Sequence, residues 1–320
     1  MNELDLASHK ALKDYMGLAS TESLLIVTDG TKDEISRSLL KAGKELCRDA
    51  FLIEMKPGEI NGQEPPAPVA QLMKMVDVVI CPTDKSLTHT RARIEAAAAG
   101  VRVATMPGIS KETMVRCLNA DYKKVIDLTR FIAGKLNKAS AIRIVTEKGT
   151  LITMPMKGRK VLKSTGVLRN RGESGNLPSG EVYLAPWEGK TNGIVVIDGS
   201  MAGLGMLKSP LTIEVINGYA ENIEGEEAHK LADLLDQSGR EARAVAEFGM
   251  GTNYLAKLIG EILEDEKVFG TIHIAFGNNK SMGGIIDVKS HLDGLVNEPD
   301  VYFDDELIMK KGKLLNYSEQ

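Results

Sequence analysis

The stretch LLIVTDGTKDEISRSLLKAGKELCRDAFLIE, residues 24–54, decides the fold of the amino-terminal half. Its first five residues, LLIVT, are a short apolar, β-rich run closed by Asp29 and Gly30, the punctuation of a strand end. Over 33–48, Ile35, Leu39, Leu40 and Ala42 recur at helical spacing, and 51–54 is a second apolar run. Two strands joined through a helix run parallel, because a parallel pair needs a crossover, and that crossover is right-handed. Working outward, the loop GEINGQEPPAP leads to a third strand at 76–81. A helix at 90–99, stopped by Gly100, leads to a fourth at 101–106. The pattern predicts an α/β domain over 1–138 with a mostly parallel, doubly wound sheet.

From about residue 141 the texture changes. Residues 142–146 and 151–156 flank Lys148-Gly149 as a β-hairpin, and short strands follow at 181–184, 194–198, 211–215 and 219–223. Helices are expected at 226–237 and, after a GMGT turn at 249–252, at 253–264. Strands return at 271–276, near 290–295 and at 302–309. The polar stretch GKLNKAS sets the boundary near 135–140, so 139–320 is expected to be an α+β domain.

The chain has 320 residues, 44 acidic and 40 basic, for a formal charge of −4; that length suggests about two domains. With 43% hydrophobic and 26% charged residues it can fill real cores, which excludes collagen-like and disordered readings. The acidic excess and the 4% aromatic content argue against nucleic acid as a partner, through phosphate contacts or base stacking. No basic-then-apolar leader and no run of about 20 apolar residues is present, so no membrane partner is expected. Cys47, Cys81 and Cys117 form no CxxC pair, and a cytoplasmic location is the expectation.

Five histidines narrow the search for chemistry: His9, His89, His229, His273 and His291. The first strand is followed by TDGTKDE without GxGxxG, so the dinucleotide fingerprint is absent and no such cofactor is expected. DGSMAGLG (198–205) reads as a tight turn. In CPTDKSLTHTRAR (81–93), Thr88 or Thr90 suits a helix cap, while His89 and Arg91 lie where open α/β sheets place ligands. His9 and His229 read as surface residues of helices.

The second half carries the stronger signal. In TIHIAFG, Ile272, Ile274 and Phe276 share one strand face, which leaves His273 projecting from the other. Eighteen residues on, SHLDGLV sets His291 and Asp293 two apart in an extended run, pointing the same way. Two imidazoles and a carboxylate are the inventory of a mononuclear iron triad or of half a dinuclear site. Glu181 opens an alternating strand, EVYLAP, with Tyr183 on its face. Glu247 interrupts an apolar run, ARAVAEFGMG, read as a helix; buried there, it needs a partner or a metal.

NLPSGEVYLAP, AEFGMGTN, GTIHIAFGNN and SHLDGLV occur in the order found in the aminopeptidase T group of metallopeptidases, which residues 170–300 resemble specifically and residues 1–140 more weakly. The resemblance implies metal ligands at Glu181, Glu247, His273, His291 and Asp293. It implies two divalent ions (zinc, cobalt or manganese) activating water against the N-terminal peptide bond of a small peptide. Asp293 would bridge, Glu181 or Glu247 would move the proton, and a homodimer is expected. One position departs from the pattern: seven residues after His273, where those peptidases carry tyrosine, stands Lys280. A lysine there could stabilise an oxyanion or recognise a substrate carboxylate or phenolate. The same fold resembles a ring-cleaving dioxygenase of dihydroxypyridine. There His273, His291 and Asp293 would hold one Fe(II), and Glu181 and Glu247 would support them or act as base. Ligand binding without catalysis is a third reading; it accommodates Lys280 and makes the carboxylates coincidental.

Overall fold

A computed structural model describes residues 1–318. The chain divides into two compact units, Met1–Lys124 with Ser164–Ser179, and Val125–Lys163 with Gly180–Gln320. The division falls inside the helix Tyr122–Leu136, and the polar stretch 135–140 lies within the second unit. Two features account for this. Ile132, Ala133 and Leu136 are buried in the core of the second unit, and a later segment returns a strand to the sheet of the first.

The first unit holds a five-stranded, wholly parallel sheet in the order Asp49–Glu54, Ser23–Thr28, Val78–Cys81, Arg102–Thr105, Ser174–Asn176. The doubly wound α/β expectation is met: the order turns about Ser23–Thr28, and all six residues of that strand are buried. The helix Asp33–Leu46 buries Ile35, Leu39 and Ala42, as their spacing requires. The fifth strand is an addition that its three polar and small residues, Ser-Gly-Asn, do not advertise.

The second unit is built on two large sheets. One has eight strands, centred on the hairpin Ala141–Val145 and Leu151–Pro155; the other has seven and includes Glu181–Leu184, Val245–Gly251, Ile272–Gly277 and His291–Val296. Their core is one apolar cluster: Ile142, Ile144, Ile152 and Val195 from the first sheet join Val182, Phe248, Ile274 and Phe276 from the second. Burial of such side chains stabilises by roughly 1.5–3 kcal/mol each.

Three expected elements differ. Residues 245–251, read as the end of a helix and a GMGT turn, are a strand with every residue buried. A strand covered on both faces is apolar throughout, which hides its period of two. The expected helix 253–264 is an irregular segment ending in the single turn Ile262–Asp265. Side chains satisfy its backbone: Glu264 accepts from Lys257 N, and Asp265 accepts from Ile259 N and Gly260 N. The expected strand 302–309 is two, Asp300–Phe303 and Glu306–Lys310.

Candidate metal centre

Four neighbouring antiparallel strands of the seven-stranded sheet position the site. Directly opposed residues share a face. Glu181 opposes Gly251 and Tyr183 opposes Gly249; Gly249 opposes His273 in turn, Glu247 opposes Ala275, Ala275 opposes Asp293, and Gly277 opposes His291. One face thus gathers Glu181, Tyr183, Glu247, His273, His291 and Asp293, while the other face carries the core. The residues between them, Gly249, Gly251, Ala275 and Gly277, are small. At Gly249 this is a requirement, since a Cβ there would stand 1.9 Å from His273 Nε2.

The five expected ligands come together. His273 Nε2 lies 3.3 Å from Glu247 Oε1 and 3.6 Å from Glu181 Oε2. His291 Nε2 lies 3.1 Å from Glu247 Oε2 and 3.5 Å from Asp293 Oδ1. His291 Nδ1 lies 2.7 Å from the Asn278 carbonyl, to which it donates, and this leaves Nε2 facing the cluster. Glu181, Glu247, His273 and Asp293 are all less than 9% exposed.

Burial works against the charges of His273, His291, Glu247 and Asp293, and their neighbours overrule it. For His273, the hydrogen bond and charge of Glu247, with Glu181 and Asp293, raise the pKa to about 9. The Asp293 and Glu247 carboxylates hold His291 well above its ordinary range. His291 foremost, with His273, pulls Asp293 down to about 2, and the hydrogen bonds of His273 and His291 lower Glu247. Protons on imidazole therefore supply the positive charge these carboxylates require. The donor set fits a divalent ion. It offers only N and O atoms, and two sets of three, Glu247/His273/Asp293 and Glu181/Glu266/His273, have ligand atoms within 4.8 Å of one another. Asp293 Oδ1 is buried and has no hydrogen-bond partner among the described residues, only the 3.5 Å charge contact with His291.

Lys280 is elsewhere. Its ammonium pairs with Asp287, and its side chain is 65% exposed, so it stands as a surface residue instead of supplying the site's cation. That cation is Lys267, which the sequence analysis missed. It is buried and paired with Glu181 at 2.7 Å and with Glu266 at 2.5 Å. Burial pushes Glu266 up to about 8. Both residues lie in the run EDEK (264–267), which reads as solvated charge; the signal available was their position a few residues before His273. In the other unit, Thr90 caps the helix Arg91–Ala98 by accepting from Arg93 N, and His89 and Arg91 are exposed. Residues 200–206 form a tight hairpin, and His229 is exposed.

The second unit gathers His273 and His291 among buried carboxylates, a donor set suited to a metal-dependent enzyme, and the family match agrees. The chain belongs to the 2,5-dihydroxypyridine 5,6-dioxygenase (NicX) family, whose model matches residues 20–316. Among solved structures it is similar to 2,5-dihydroxypyridine dioxygenase from Pseudomonas putida KT2440, with a TM-score of 0.86, 17% identity and 99% of each chain covered. It is also similar to AmpT from Thermus thermophilus, with a TM-score of 0.71 and 16% identity over 98% of this chain and 99% of that one. At these identities both share the fold. The resemblance to the aminopeptidase T group holds at that level, while the family is that of the dioxygenase. No curated protein matches. Among the described residues no helix is long and apolar enough to cross a membrane.

Proposed function

We propose that the protein is a metal-dependent dioxygenase that opens an electron-rich dihydroxylated pyridine-type ring, with both atoms of O2 retained in the product. The observation that carries this reading is His273 beside His291 and Asp293 on adjacent strands, in a chain of the dioxygenase family. His273, His291 and Asp293 would hold one ferrous ion, which supplies the Lewis acidity and one-electron chemistry that O2 needs to react with a closed-shell ring. Glu247, a buried carboxylate within 3.3 Å of His273 Nε2 and 3.1 Å of His291 Nε2, is the group to take a proton from a ring hydroxyl. Tyr183, on the same face, has its pKa raised by burial and by the charges of Glu181 and Glu247, so its O–H stays a donor for orienting the ring. The hydrolase reading has less behind it: the AmpT likeness is the weaker of the two, and Lys280 pairs with Asp287 instead of facing the cluster.

The test is oxygen uptake. Metal-free protein loaded anaerobically with Fe(II) is expected to consume one O2 per 2,5-dihydroxypyridine, with loss of the ring absorbance. His273→Ala and Asp293→Ala should each abolish uptake without unfolding. Cleavage of an aminoacyl-anilide by the zinc-, cobalt- or manganese-loaded protein, with no uptake in the iron form, would return the assignment to the peptidase.

A further inference from the structure

The cluster contains a cation of its own. Lys267 is 1% exposed, with Nζ 2.7 Å from Glu181 Oε1 and 2.5 Å from Glu266 Oε1. Its backbone is held in place: the Lys267 carbonyl accepts from Asn253 N at 2.9 Å, and the next two residues bridge to Asn253 and Gly251 in parallel. Gly251 permits that approach, since a Cβ there would stand 2.6 Å from the Lys267 carbonyl carbon. The other oxygen of Glu181 lies 3.6 Å from His273 Nε2. Of the two potential ligand sets, Glu181/Glu266/His273 therefore has an ammonium seated on both its carboxylates, and Glu247/His273/Asp293 does not.

We propose that Lys267 stands, as a fixed internal ammonium, in the place of a second divalent ion, so that the centre takes one metal, held by His273, His291 and Asp293. This rests on the metal-dependent reading above and adds the residue that sets the metal count. A divalent ion would bond the Glu181 and Glu266 oxygens at roughly 2.0–2.2 Å. One oxygen of each carboxylate already accepts from Nζ, and an ion brought to the pair would stand against a like charge a few ångströms away. The ammonium balances the carboxylates without offering an open coordination position, so it cannot activate water or polarise a carbonyl as a second metal would. Glu181 becomes a positioning residue, one oxygen anchored on Lys267 and the other presented to His273.

Metal counting tests this. Metal-free protein is dialysed anaerobically against excess Mn(II), Fe(II) or Zn(II), desalted and analysed for metal per chain. Wild type and Lys267→Arg should hold one ion and Lys267→Ala two. Two ions in wild type, or one in a folded Lys267→Ala, would overturn the proposal. Should the Ala variant not fold, electron paramagnetic resonance of the Mn(II)-loaded wild type decides: an isolated six-line spectrum supports a single ion, and an exchange-coupled spectrum refutes it. Oxygen uptake in the same samples separates the two claims. One ion without uptake removes the dioxygenase reading and leaves Lys267 its role; two ions remove the role whatever the uptake.

Discussion

Gly249 opposes His273 on one neighbouring strand and Tyr183 on the other, and the space a Cβ would take is filled by the imidazole. Gly249→Ala is therefore expected to displace His273, at a cost of about 1–3 kcal/mol for overpacking. Metal retained after desalting should fall at least tenfold, while far-UV circular dichroism stays that of the wild type. Retention of wild-type affinity would show that His273 is not a ligand. Lys280 marks the opposite case. Its ion pair with Asp287 is exposed, and such pairs contribute about 0–1 kcal/mol. Lys280→Ala is expected to leave uptake within about twofold of wild type, and a larger loss would bring Lys280 back into the site. Side-chain direction explains what was legible at this scale. Period-two alternation put His273, His291 and Asp293 on one face, whereas Lys267, outside any alternating run, gave no such cue.

The strand Val245–Gly251 joins both halves of the site sheet, pairing with Glu181–Leu184 on one side and Ile272–Gly277 on the other. Its two faces do different work: Glu247 faces the ligands and Phe248 the core. Phe248→Ala should cost about 3–5 kcal/mol, read as a lower Tm, with the metal count of the wild type. A changed metal count would show that the faces are not independent. Glu247 was legible as a buried carboxylate in an apolar run, but its element was misread. Ala244, Val245, Ala246 and Phe248 are compatible with either period until the strands on both sides are known.

For the whole molecule, the charges of the centre tie metal, protons and stability together. Without metal, His273 titrates near 9 against 6.5 for a free imidazole, so its contribution is complete below about 6.5 and lost as pH rises through 9. Asp293, lowered from 3.8 to about 2, contributes above about 4 and loses that contribution as pH falls through 2. The Tm of metal-free protein should accordingly fall between pH 6.5 and 9. Over the same interval metal affinity should rise, by up to about tenfold per pH unit for each proton displaced. Scanning calorimetry and chelator competition measure the two, and a pH-independent affinity between 6.5 and 9 would mean that the imidazoles are not where metal binds.

Local pattern was enough for the parallel α/β sheet, because runs such as LLIVT, punctuated by Asp-Gly and followed by a helical period, have one economical pairing. It was also enough for the two histidines and the aspartate, since alternation is a property of a single strand. Contacts between distant segments decided the rest. The return of Ser174–Asn176 to the first sheet and the strand state of Glu247 depend on neighbours more than 20 residues away. So does the burial of Lys267 against Glu181, which is 86 positions earlier in the chain. A charged run such as EDEK carries no local mark of whether water or protein will surround it, and only packing sets the solvation of its charges.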